Sequence, residues 1–385
     1  MTLASIDSLE IGYDIPGRPG MALADLATPC LILDLDALER NIIQMREKAR
    51  ALGVAHRAHG KMHKSADVAR LQMRLGGAVG ICCQKVSEAE AFVRGGILDV
   101  LVSNQVRSAQ MIDRLARLPL LGATVSVCLD DPENVAELSL AARRHGTQIG
   151  CLVELECGAG RCGVLGPGQA LTLAQSIIAA PGLHFKGLQA YHGTVQHLET
   201  HAERQAVISQ VIKAVRETVT LLAENGITCE TVTGAGTGSF ELEGASGAYT
   251  EIQCGSYAFM DADYGRIHDA QGNRLDSTWE NALFVLSRVV SHVHPTRAVC
   301  DAGLKSMSGE SGLPLVSGHA SLMALSLSDE HCVLNDPEGQ LRTGNSLRLI
   351  PGHCDPTCNL HDWYVGTRGE LVECLWPVTA RGKAF

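Results

Sequence analysis

The chain has 385 residues, 45% of them hydrophobic and 19% charged, so it can bury a large core and is not disordered as a whole. Its formal net charge of −10, from 32 basic and 42 acidic residues with no basic block, excludes an electrostatic nucleic-acid footprint. The opening MTLASIDSLEIGYD lacks an apolar stretch, no run approaches ~18 apolar residues, and the 14 Cys form neither a CxxC nor a regular framework. These features predict a cytoplasmic protein with reduced thiols that enters no membrane.

Eight apolar, β-rich runs occur in order: Cys30–Asp34, Val54–His59, Val79–Gln84, Leu98–Ser103, Ala123–Leu129, Ile149–Leu155, Phe185–Tyr191 and Cys229–Thr233. Most precede an amphipathic stretch. After the fifth run, Asp130 and Asp131 are capping candidates, Pro132 suits a first turn, and Gly146 follows the end. The longest stretch, His201 to Glu224, repeats apolar residues at helical spacing from Val207 to Leu222. Eight strand–helix units predict an α/β (β/α)8 TIM barrel, with a doubly wound sheet as runner-up. Beyond residue 270 the pattern changes to strands without intervening helices: Leu283–Ser291, Arg297–Asp301, Ser346–Pro351 and Glu370–Pro377. The expected domains are an N-terminal segment 1–27, a barrel 28–270 and a β-rich domain 271–385.

Barrel chemistry sits at the C-terminal ends of strands. The second run ends in HRAHGKMHKS, which sets Lys61 where its amine can enter the barrel mouth. Apolar walls and the neighbouring Lys64 and Arg57 can lower a lysine pKa, as a Schiff-base lysine requires; a solvated basic loop is the competing explanation. The eighth run ends in TGAGTGS, whose successive amides can form an anion nest at the usual phosphate position of this fold. A lysine and a phosphate nest on two strand ends together suggest pyridoxal phosphate. In PGHCDPTCNLHDWYVG, His353 and Asp355 are two apart, so on an extended segment they share a side while Cys354 faces away. That is half of a hard divalent-cation site; a polar turn is the alternative, and His361 and Asp362 are further candidates. Gln84, Arg161, Tyr191, His192 and Tyr257 are other polar residues at or near strand ends.

These segments, with TPCLILDLDALERNI, GICCQKVSEAEAF, ELECGAGRCGV, LQAYHGTVQH, IQCGSYAFMDADYG and DAGLKS, resemble the D-threonine aldolase-like family of fold-type III pyridoxal-phosphate enzymes. That family is related to the barrel of alanine racemase, and the likeness covers nearly the whole chain. IGYDIPGRPGM, HGKMHKS and MDADYGRIHDA are most similar to the 3-hydroxy-D-aspartate aldolase branch. The resemblance implies that Lys61 carries pyridoxal 5'-phosphate and that His353 and Asp355 hold Mg²⁺ or Mn²⁺. It makes Gln84, Tyr191, Gly236, Thr237, Gly238 and Tyr257 cofactor contacts, and Arg161 a partner of the pyridoxal ring oxygen. His192 is a candidate base. The implied reaction is reversible cleavage of a β-hydroxy-D-amino acid, 3-hydroxy-D-aspartate, to glycine and glyoxylate. D-threonine cleavage and dehydration of D-3-hydroxyaspartate or D-serine are the alternatives. Related dehydratases show His-x-Cys for zinc where this chain has His353-x-Asp355, which disfavours dehydration. His63, Lys64, Arg266 and His268 are unranked candidates to meet the substrate's β-carboxylate. The family also implies a homodimer.

Overall fold

The computed structural model describes residues 8–385. The chain forms two compact units: one from the described part of Met1–Asn41 with Ala258–Arg266 and Leu275–Arg381, the other from Ile42–Tyr257, Ile267–Arg274 and Gly382–Phe385. Of the expected segment 1–27, residues 1–7 lie outside the described residues.

In chain order the strands are β1 (Cys30–Asp34), β2 (Ala55–His56), β3 (Ala58–His59), β4 (Ile81–Cys83), β5 (Asp99–Val102), β6 (Thr124–Leu129), β7 (Ile149–Glu154), β8 (Leu183–Ala190), β9 (Thr231–Gly234) and β10 (Glu251–Ile252). Strands β2 to β10 form one parallel sheet in the order β2-β10-β9-β8-β7-β6-β5-β4-β3. Because β2 and β3 are halves of one stretch interrupted at Arg57, the two ends of that order meet and eight staves close into a barrel. One phase of the staves (Val100, Val102, Val127, Leu129, Cys151, Val153) packs with the helices. The other phase supplies Cys82, Leu101, Cys128 and Leu152 as a small separate cluster. Part of the cysteine content is thus compact packing, and all the cysteines are free thiols.

The expected helix caps form. Asp131 accepts the Glu133 N–H at the start of helix Pro132–His145, and Gly146 ends it at φ +65°. Helix His201–Glu224 starts with a capping box between Thr200 and Glu203 and buries Ile208, Val211, Val215 and Leu222.

One strand was misplaced by its pattern. Cys30–Asp34 is not a barrel stave: β1 pairs antiparallel with β11 (Leu283–His294) and parallel with Trp363–Arg368. The missing stave is β10, whose two residues are too short to show as an apolar run. The Gly-rich turn therefore follows the seventh stave, not the eighth.

The other unit continues with β12 (Arg297–Cys300), β13 (Leu315–Val316), β14 (Met323–Leu327), β15 (Cys332–Asn335), β16 (Ser346–Ile350), β17 (Trp363–Arg368) and β18 (Leu371–Pro377). Strand β11 pairs with both β12 and β16, so β11, β12, β15, β14, β13 and β16 close on themselves, and β1, β17 and β18 extend the sheet. Cys30, Ile32, Phe284, Leu286, Val365, Val372 and Leu375 form its apolar core.

Candidate active site

Lys61 leaves the barrel wall directly after β3. Gly60 is required there, because an added Cβ would lie 2.6 Å from Phe92 Cζ and 2.7 Å from Ile81 Cγ2. The Gly60 N–H donates to Cys82 O and the Lys61 N–H to His59 Nδ1, which fix the turn at the strand end. The neighbouring basic residues point elsewhere. Lys64 adopts φ +51° and its ammonium pairs with the buried carboxylate of Glu88. His63 is fully buried. Its Nδ1 accepts the Ser65 N–H and its Nε2 donates to Gln72 Oε1 at 3.1 Å; Gln72 Nε2 then donates to the Tyr257 hydroxyl at 3.3 Å. His63 and Lys64 are therefore parts of the wall, and the expectation that either greets a substrate carboxylate is corrected. Of the other two candidates, Arg266 bonds Asp263 through Nε and Nη2, and His268 Nδ1 lies 3.8 Å from Glu199.

Gln84 follows β4. Its Nε2 and Ser103 Oγ lie 3.2 and 3.4 Å from His59 Nε2, so three stave ends share one polar cluster. Past β7, Arg161 Nη2 lies 3.5 Å from Glu154, and its guanidinium stands 5.5 Å from the centre of the Tyr191 ring. Burial pushes the Glu154 carboxyl upward against the pull of Gln105 and Arg161. His192, next to Tyr191, accepts the Val195 N–H at Nδ1. Burial lowers its pKa, so the ring is neutral at neutral pH; with Nδ1 accepting, the proton sits on Nε2 and Nδ1 is the basic nitrogen.

The Gly-rich turn after β9 is built for an anion. The Thr237 hydroxyl accepts the Tyr257 N–H at 3.0 Å, which ties the turn to the loop after β10. The N–H groups of Thr237, Gly255 and Ser256 are buried and find no acceptor among the described residues. Three buried donors left open on two joined loops fit a phosphate, and the chemistry of the lysine and these donors suits pyridoxal phosphate. The Tyr257 ring is wholly buried against His56, and its main-chain N–H reaches the turn.

His353 and Asp355 lie in the other unit. The segment is not extended there: His353 caps a short helix, Cys354–Cys358, and Asp355 sits in its first turn. The alternation argument for their shared side is corrected, yet the helix start brings His353 Nε2 to 3.6 Å from Asp355 Oδ1. Nδ1 pairs with Glu310. Burial opposes protonation of His353, but Asp355, Glu310 and Asp261 together raise its pKa to about 9. An imidazole among carboxylates is a donor set of the chemistry a hard divalent cation takes, and such a cation would replace the proton. Among the described residues no cluster of three or more potential ligands converges as a complete metal site. His361 bonds the Ser306 carbonyl and Asp362 pairs with Arg381.

Sequence reasoning missed His59, Gln72, Ser103 and Gln196. Gln196 stands inside the quoted QAYHGTVQH segment, but only the fold shows that it touches the Gly-rich turn.

Comparison with known proteins agrees with this architecture. The family model described as alanine racemase, N-terminal domain, matches residues 33–263, and the putative serine dehydratase domain matches residues 282–367. A 3-hydroxy-D-aspartate aldolase of Paracoccus denitrificans (strain Pd 1222) is 58% identical over 98% of this chain and 97% of its own. A D-threonine aldolase of Arthrobacter sp. is 46% identical, over 95% and 96%. The crystal structure of D-threonine aldolase from Filomicrobium marinum superposes with a TM-score of 0.92 at 43% identity, covering 96% of this chain and all of that one. A D-threo-3-hydroxyaspartate dehydratase of Delftia sp. (strain HT23) stands much further off, at 25% identity over 87% of this chain and 92% of its own.

Proposed function

The chain belongs to the D-threonine aldolase-like family of alanine racemase-type pyridoxal-phosphate enzymes, and from that membership we propose that it cleaves 3-hydroxy-D-aspartate reversibly to glycine and glyoxylate. The observation that carries this reading is the pairing, on stave ends of one barrel, of Lys61 with the open N–H donors of Thr237, Gly255 and Ser256. The 58% identity to a 3-hydroxy-D-aspartate aldolase supports the substrate, and the 46% identity to a D-threonine aldolase favours D-threonine as the second reading.

In this proposal Lys61 is the residue whose amine would hold the cofactor and be released when the substrate amine takes its place. Pyridoxal phosphate supplies the electron sink for the pair released when Cα–Cβ breaks. Thr237, Gly255 and Ser256 would hold its phosphate, Gln84 and Tyr191 would contact it, and Arg161 would partner the ring oxygen. Neutral His192 accepts the β-hydroxyl proton. His353 and Asp355 would hold Mg²⁺ or Mn²⁺, whose chemistry is to acidify that hydroxyl. The working form is a homodimer in the cytoplasm, where free thiols such as those here persist. No helix among the described residues is long and apolar enough to cross a membrane.

The test is product analysis with 3-hydroxy-D-aspartate beside D-threonine, with and without chelator. Glycine and glyoxylate in equal amounts are expected. Ammonia with a keto acid would convert the assignment to a dehydratase.

A further inference from the structure

One side chain joins the loop that carries Tyr191 and His192 to the Gly-rich turn. Gln196 lies in the single turn Thr194–His197 and is almost wholly buried. Its Oε1 accepts the Gly238 N–H at 2.9 Å, and its Nε2 donates to Ser239 Oγ at 2.7 Å. Ser239 Oγ in turn donates to Glu243 Oε1 at 2.9 Å and lies 3.5 Å from the Gly236 nitrogen, whose N–H it accepts. Thus the amides on both sides of Thr237 are drawn to one carboxamide–hydroxyl pair, while the Thr237 N–H finds no acceptor among the described residues. The two glycines answer to the same side chain: an added Cβ would stand 2.5 Å from Gln196 Oε1 at Gly236 and 3.2 Å at Gly238.

We propose that Gln196 is a positioning residue for the cofactor phosphate: by accepting the Gly238 N–H and bonding the Ser239 hydroxyl that accepts the Gly236 N–H, it aims the Thr237 N–H, with those of Gly255 and Ser256, at one anion. This rests on the pyridoxal-phosphate reading. Gln196 does not itself touch the phosphate. It orients peptide dipoles that do, and a preoriented donor binds an anion better than one that must turn on binding. The contact also explains the Gly-Thr-Gly spacing without appeal to the ligand, since the carboxamide occupies the space that two side chains would need.

The experiment titrates apoprotein with pyridoxal phosphate and, separately, with pyridoxal, followed by absorbance. Gln196→Met fills the same space without hydrogen bonds. It should weaken pyridoxal phosphate binding about 10- to 100-fold and leave pyridoxal binding within about twofold. Ser239→Ala, which removes the hydroxyl that accepts from Gln196 Nε2 and the Gly236 N–H and donates to Glu243, should weaken the phosphate form about 3- to 10-fold in the same selective way, and decides the matter if Gln196→Met does not fold. Equal weakening of both ligands, or no change in either, would overturn the proposal while leaving the cofactor assignment intact. Failure of the unaltered protein to bind pyridoxal phosphate would instead overturn the cofactor reading, and this inference with it.

Discussion

The ammonium of Lys64 is held by the carboxylate of Glu88, which is buried and also accepts the N–H groups of Gln84 and Lys85 at the start of helix Val86–Arg94. Two lysines three apart are thereby given different work. Lys61→Ala should abolish turnover and the absorbance of lysine-bound cofactor. Lys64→Ala should keep both but lose about 3 kcal/mol of stability, because it strands a buried charge. Digestion after borohydride reduction, with the label read by mass spectrometry, checks the assignment, and a label on Lys64 would reverse it.

Much of this could be read from the chain alone. Apolar runs with capped helices between them carried seven of the barrel's staves, and glycine-rich turns at their ends marked the lysine and phosphate loops. What failed has physical causes. CLILD is buried on both faces in the β-rich unit, as a parallel barrel strand would be, so its pattern cannot distinguish the two settings. Glu251–Ile252 is too brief to have a period. His63 looked like an entrance cation because nothing local reveals that Gln72 will receive its Nε2–H or that Tyr257, 185 positions beyond Gln72, will complete the chain. Buried polar networks join residues by fold, not by spacing.

Glu310 occupies His353 Nδ1 and leaves Nε2 toward Asp355. A carboxylate behind a metal-binding imidazole fixes its orientation and raises its basicity. Chelation, or His353→Ala with Asp355→Ala, should remove aldolase activity while the bound cofactor's absorbance persists. Glu310→Gln should weaken metal affinity about 10-fold, measured by the metal dependence of turnover. Full activity of the double variant in chelator would refute the site.

With 3-hydroxy-D-aspartate as substrate, the β-carboxylate needs a charged or hydrogen-bonding partner that the methyl of D-threonine does not. A charge-assisted hydrogen bond contributing ~1.5–3 kcal/mol predicts about 10- to 150-fold higher kcat/KM for the acidic substrate at saturating metal. His63→Asn should lower stability yet leave that ratio unchanged, because the ring is in the wall. Equal or higher kcat/KM for D-threonine would move the chain to the threonine-cleaving branch.

Glu243 ends the chain of bonds that begins at Gln196. It is buried, its Oε1 accepts from Ser239, and its Oε2 has no hydrogen-bond partner among the described residues. Burial, outweighing the Ser239 hydrogen bond, raises its pKa from 4.5 to about 7. A folded-state pKa above the unfolded value means the folded protein binds the extra proton. The resulting stability is full below pH ~4.5, falls as the pH rises, and is lost by the time the pH has passed about 7. The swing corresponds to about 3 kcal/mol for this group alone. Glu243→Gln keeps the acceptor for Ser239 and cannot ionise. It should match the parent in denaturant midpoint near pH 4.5 and exceed it at pH ~8, where the parent must bury a carboxylate. Parallel stability curves for the two proteins between those pH values would show that Glu243 is already ionised in the fold, and would remove the neutral acid from beneath the Gly-rich turn.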